Sequence, residues 1–176
     1  MRLFPVLAIS VASLTLVGCS TTTPQAIPTS SAVEQAPAFA SDEEALAAAQ
    51  AAYAEYLSVS DQIARDGGAN PERLKPFVSE DQYLQEMNSF EAYSSGGLRS
   101  VGEMLFDTFH KAGQDQSDIS FYLCLDSSQS RVFNEFGEDV TPLERVDRWP
   151  MYVTFSISKS KLLVAGSETW SGQNFC

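Results

Sequence analysis

The chain has 176 residues, 44% of them apolar and 19% charged, enough for one globular domain and hardly enough for two. Its 11 Lys and Arg face 23 Asp and Glu, a net charge of -12, which argues against a nucleic-acid binder held by phosphate contacts. With one His and three Cys, a zinc finger or a multi-His metal centre is not expected, nor is any cofactor.

Met1-Arg2 gives a short positive start, and Leu3 to Val17 is an apolar run of signal-peptide length. A membrane span needs roughly 20 apolar residues, and the run falls short of that. It closes in Leu16-Val17-Gly18-Cys19: an apolar residue three before the Cys and a small residue directly before it. This resembles the lipobox of bacterial lipoproteins. The resemblance implies diacylglyceryl transfer to the Cys19 thiol, cleavage after Gly18, and a palmitate-type lipid anchor on the extracytoplasmic face of the cell membrane. The chemistry needs a thiolate to form a thioether, and two acyl chains give stable anchoring where one does not. The alternative is an ordinary secretory signal in which Cys19 is incidental.

The expected organisation is a signal peptide over 1–18, a lipidated Cys19 with a disordered tether over 19–40, and a single α+β domain over 41–176. Cleavage removes Arg2 and no acid, leaving 10 basic against 23 acidic residues. Anionic headgroups repel such a domain, so the lipid is expected to do the anchoring. The tether is rich in Thr, Pro and Ser and spans about 25 Å as a coil or about 65 Å extended.

Two cysteines remain, Cys124 and Cys176. In an oxidising compartment an even number suggests pairing, and only one intramolecular bond is available. The alternative is two free thiols, or one reactive one. No His lies near either in sequence, which weakens a catalytic-Cys reading.

Ser41-Asp42-Glu43-Glu44 is a capping box that opens a first helix. Leu46, Ala49, Tyr53, Tyr56, Leu57 and Ile63 recur at helical spacing, and Gly67-Gly68 is the stop. Asn70-Pro71-Glu72 starts a short second helix, with Asn70 as its cap. Ser79-Glu80-Asp81-Gln82 opens a third, with Tyr83, Leu84, Met87, Phe90 and Tyr93 as its buried stripe and Gly96-Gly97 as its end. Val101 to His110, Ile119 to Leu125, Met151 to Ile157 and Leu162 to Trp170 read as strands, with a tight turn at Lys159-Ser160-Lys161. Arg131 to Phe136 and the Val140 region read as a further hairpin, and the acid-rich stretch Glu135 to Asp147 as solvated. Three helices followed by antiparallel strands make an α+β layout with the helices on one face of a curved sheet.

The order of elements, with Arg65-Asp66-Gly67-Gly68 ending a long helix and Asn70-Pro71-Glu72-Arg73-Leu74 following, resembles the nuclear transport factor 2-like fold. It is similar in layout to small actinobacterial lipoproteins. The resemblance implies a cone-shaped domain whose interior often forms a pocket, and relatives include ketosteroid isomerases, cyclases and dehydratases that use an Asp or His there as general base. Candidates here are Asp107 and His110, which a regular strand places on opposite faces unless a bulge intervenes. Asp61 and Asp126 are further carboxylates, the latter better suited to forming a turn with Ser127 and Ser128. Tyr53, Tyr56, Tyr93, Trp149 and Trp170 are candidates for a pocket wall, though aromatics of this kind more often belong to the core. No phosphate loop, nucleophile elbow, zinc-protease motif or calcium loop is present.

Three functions follow as expectations: a non-enzymatic module that binds a small ligand or envelope protein, an enzyme of the cyclase, isomerase or dehydratase kind working through one pocket carboxylate, and an exclusion factor acting by protein contact.

Overall fold

The computed structural model describes residues 39–158 and 161–176. The signal peptide, Cys19 and nearly all of the expected tether lie outside the described residues, as do residues 159–160 of the expected tight turn. The architecture is α+β. Helix α1 (Asp42–Arg65) and helix α2 (Glu80–Ser95) precede six strands: β1 (Arg99–Val101), β2 (Leu105–Gln114), β3 (Asp118–Asp126), β4 (Arg131–Phe133), β5 (Arg148–Ser158) and β6 (Lys161–Thr169). Strands β2-β3-β5-β6 form a curved antiparallel sheet, and β1 pairs with β4 in a separate small ribbon.

Both helix starts follow from their caps. The Ser41 hydroxyl accepts the Glu44 N–H at 3.2 Å, and the Ser79 hydroxyl accepts the Gln82 N–H at 3.2 Å. In the first cap the Glu44 carboxylate reaches back to the Ala40 N–H at 2.8 Å. Helix α1 stops where Gly67 and Gly68 turn left-handed, and Gly68 N–H closes onto the Ile63 carbonyl at 2.8 Å. A Cβ at Gly68 would run into the Phe90 carbonyl, so this position also sets how closely α2 approaches.

The expected three helices are two. Pro71–Leu74 is one 3-10 turn, because Pro76 has no N–H to offer the Glu72 carbonyl and the turn closes instead through the Lys75 N–H. Asn70 stands at its start in the left-handed region, without a side-chain cap. The inward row of α2 also differs from the apolar stripe. Phe90 and Gln82 are buried and Leu84 is exposed. Helix α2 turns a polar row toward α1, where Glu86 receives the Tyr56 hydroxyl.

Strand β5 alternates as read, with Met151, Val153 and Phe155 buried. They pack with Ile119, Phe121, Leu123 and Leu125 of β3 under α1, whose Ala45, Ala49, Tyr53, Leu57 and Ile63 complete the core. The Val101 to His110 segment is two strands, not one, broken by a turn at Gly102. Gly102 lies at φ +93, where a Cβ would strike the Gln129 carbonyl. In β2 the register slips between Asp107 and His110, and again between Lys111 and Gly113. Thr108 absorbs the first slip at φ +54. The extra residue turns both Phe106 and Phe109 toward the helices, although their spacing of three would send them to opposite faces of a regular strand.

Candidate functional site

The face of the sheet beneath α1 is filled by rings. Tyr53 meets Phe106 edge-on at 5.1 Å, Phe109 at 6.1 Å and Phe155 at 6.4 Å, and Phe109 meets Phe121 at 5.1 Å. Tyr53, Phe121 and Phe155 are at most 1% exposed. Burial pushes the Tyr53 phenol well above its usual range, opposed by the Ser167 hydroxyl. Tyr56 is also buried and donates its hydroxyl proton to Glu86 Oε1 at 2.5 Å, while Gln82 Nε2 donates to the same oxygen at 2.9 Å. Burial first, and the Glu86 charge second, raise the Tyr56 phenol. These two tyrosines are core residues with one polar tip each and do not wall an open pocket.

At the late end of α1 a cleft of about 240 Å³ opens against the turn before β2. Leu57, Met104 and Phe106 line its apolar side, and Asp61, Arg65 and Glu103 its polar side. Asp61 Oδ2 accepts the Met104 N–H at 3.0 Å, and Arg65 Nη1 donates to the Gly102 carbonyl at 3.1 Å. The helix therefore clamps the turn through two side chains. Burial raises the Asp61 carboxyl, the Met104 N–H and Arg65 lower it, and Glu103 adds to the rise. Asp61 is thus the carboxylate whose surroundings favour holding a proton. Its signal in the sequence is its place four residues after Leu57, on the row that faces the sheet. Tyr93 is half-buried beside a neighbouring groove with Gly67 and Leu98, and burial and the Asp61 charge raise its phenol.

The opposite face of the sheet holds the other candidates. The β2 bulge puts Asp107 opposite Cys124 and His110 opposite Tyr122, two residues of the same face of β3. Asp107 and His110 therefore share a face, which corrects the alternation of a regular strand. Asp107 is exposed and bidentate to Arg148, at 2.8 Å from Nη1 to Oδ2 and 2.5 Å from Nη2 to Oδ1. The Arg148 hydrogen bonds first, and the Thr108 hydroxyl second, hold its carboxyl down to about 2. Such a group stays a fixed anion at neutral pH and is unsuited to taking a proton from a substrate. Asp126 accepts the Ser128 N–H at 2.8 Å as a turn residue should, and Arg148 lies 3.8 Å from it. His110 is exposed.

Cys124 and Cys176 form a disulfide with Cα atoms 5.7 Å apart, and the segment it pins lies across this outer face. Arg148 Nε donates to the Cys176 carbonyl at 3.3 Å. Trp170 and Phe175 cover Tyr122 at 4.9 and 6.2 Å, and Tyr122 in turn meets Tyr152 at 5.3 Å. Trp149 belongs to the other face, half-buried against the core with its indole N–H directed at Met151 Sδ. The five aromatics expected along one wall are thus distributed over the core, the groove at Tyr93 and the outer face. The geometry brings together Asp107, Arg148 and the disulfide on one side, and Asp61, Arg65 and Glu103 on the other.

Among the described residues no His, Cys, Asp and Glu side chains converge to hold a metal ion, and no helix is long and apolar enough to cross a membrane. No protein-family model matches the sequence. No curated protein matches it either. The crystal structure of the intermembrane space region of the chloroplast protein ARC6 is similar, with a TM-score of 0.55 over 72% of this chain and 97% of that one at 9% identity. A protein from Catenulispora acidiphila gives 0.42 over 72% and 93% at 10% identity. One from Kribbella flavida gives 0.38 over 76% and 95% at 11% identity. At this level of identity the likeness to the ARC6 region is one of fold alone: two proteins that wrap helices over a curved antiparallel sheet.

Proposed function

We propose that the protein is a membrane-anchored lipoprotein of the extracytoplasmic cell envelope, held by lipid on Cys19, whose nuclear transport factor 2-like domain is a non-enzymatic binding module. The observation that carries the second half is the packed ring cluster of Tyr53, Phe106, Phe109, Phe121 and Phe155. In a cone-shaped domain a substrate would enter where these rings meet, and every one of them touches another there. Recognition then falls to the surface. The disulfide fits an oxidising compartment, and the lipobox-like Leu16-Val17-Gly18-Cys19 supplies the anchor. Cys19→Ala is expected to move the protein from the membrane fraction to the soluble fraction; retention in the membrane refutes the anchor.

A second reading, an enzyme of the cyclase, isomerase or dehydratase kind, draws on one observation: Asp61 is half-buried at a cleft and its carboxyl is raised. Isomerisation of unsaturated ketones by the full chain, abolished by Asp61→Asn at unchanged melting temperature, would establish that reading and sink the first.

A further inference from the structure

The connection between β4 and β5, residues 134–147, carries exposed apolar side chains on a backbone that is tied down. Phe136 is 80% exposed, Leu143 102% and Val146 65%. Exposure of this size on a loose loop would be unremarkable. Here the loop is fastened on both sides of residues 142–144. Asn134 Oδ1 accepts the N–H groups of Phe136 and Glu138 at 3.0 and 2.9 Å. Val140 N–H reaches the Val132 carbonyl at 2.8 Å, and Thr141 Oγ1 accepts the Val132 N–H at 2.8 Å. Arg145 Nη2 donates to the Ser127 and Ser130 carbonyls, each at 2.7 Å, and its Nε to Asp147 at 2.6 Å. A backbone fixed in this way loses little conformational freedom on meeting a partner, which lowers the cost of association.

The charges on the loop select the partner. Residues 134–147 include Glu135, Glu138, Asp139, Glu144 and Asp147, with Arg145 as the one base. The Arg145 guanidinium is turned inward onto carbonyls and Asp147, and Arg131 Nη1 likewise donates to the Ser128 and Ser130 carbonyls at 3.2 and 2.9 Å. Glu135, Glu138 and Glu144 stand exposed beside the apolar side chains. Beside Leu143 lies an open hollow of about 290 Å³, where Asp139 and Asp147 face Arg131 and Arg145.

We infer that residues 134–147 are a docking surface for a protein partner presenting apolar side chains among Lys and Arg. A membrane surface fits less well, since anionic headgroups repel the loop. A second copy fits less well too, since each chain carries a net charge of -12. The inference rests on the binding-module reading and names its surface.

The test uses the full chain in nanodiscs of zwitterionic lipid and a fluorescent amphipathic peptide of alternating Lys and Leu, with a Glu and Leu peptide as control. Binding by the Lys peptide is expected, weakened by salt, with amide-exchange protection confined to residues 134–147. Phe136→Ser with Leu143→Ser is expected to weaken it by at least about tenfold at unchanged melting temperature, as for central apolar anchors. Equal affinity in that variant, or protection spread over other acidic surface, overturns the inference. So does loop-dependent binding to anionic vesicles, or loop-dependent dimerisation. These results would relocate or re-identify the partner, whereas turnover lost on Asp61→Asn would remove the binding-module reading itself.

Discussion

The two faces of the four-stranded sheet are held by different physics. The inner face is apolar and redundant: Tyr53, Phe109, Phe121 and Phe155 each contact more than one other ring, so burial and dispersion are shared across the set. The outer face depends on a few specific links, namely one disulfide, one bidentate ion pair and the cover of Trp170 and Phe175 over Tyr122. Each kind of damage therefore registers on its own face. A missing methylene matters inside, whereas a broken link matters outside.

Phe155→Ala should have the largest effect. The ring is 0% exposed, and cavity formation in such a place costs about 4 to 5 kcal/mol, read as a loss in denaturant midpoint. Cys176→Ser tests the outer face. A separation of 52 residues corresponds to roughly 4 kcal/mol in the chain-entropy picture, with typical measured values about 2 to 4. If the faces are independent, this variant alters Trp170 fluorescence and exposes Tyr122 while amide protection in β3 and β5 survives. Collapse of that protection would erase the distinction. Ser79→Ala removes the α2 cap, and about 1 kcal/mol is expected from chemical denaturation.

The smallest effects come from the two carboxylates, and they have opposite signs. Asp107 is depressed to about 2, so the folded state binds fewer protons than the unfolded one below the ordinary carboxyl range. Its stabilisation is present above pH 4 and is lost as the pH falls toward 2. Asp107→Asn should flatten the stability profile in that window. Asp61 is raised, so the folded state favours the proton, and stability falls as the pH rises from 3.8 through its folded value. Asp61→Asn keeps an oxygen for the Met104 N–H and should be neutral or stabilising at pH 7. Carbon-13 carboxyl titration that moves both groups in the same direction would contradict this assignment.

What the sequence disclosed was local chemistry. Ser41 and Ser79 cap because a short hydroxyl matches the first free amides, Gly67-Gly68 stops a helix because a left-handed turn is cheap there, and β5 alternates because one of its faces is buried. The places where the reading failed are set by distant partners. Leu84 has the side chain of a core residue, yet α2 turns Gln82 and Glu86 inward, where Glu86 accepts from both the Tyr56 hydroxyl and the Gln82 amide. The slip at Thr108 had only one trace, two Phe residues three apart in a strand. Both are wanted by the same core, so the backbone yields. Asp61 gave little sign of its cleft, since the turn that covers it arrives from residues 102–104.

Strand β2 is one of the sheet's two edges, with β3 on one side only. An even edge of this length is a template for any other extended chain. Between Asp107 and His110, and again between Lys111 and Gly113, the spacing of amides and carbonyls falls out of step with a straight strand. A foreign strand could match one short stretch and would then lose register. The slip at Thr108 that aims Phe109 into the core thus also makes this edge a poor template for fibre growth.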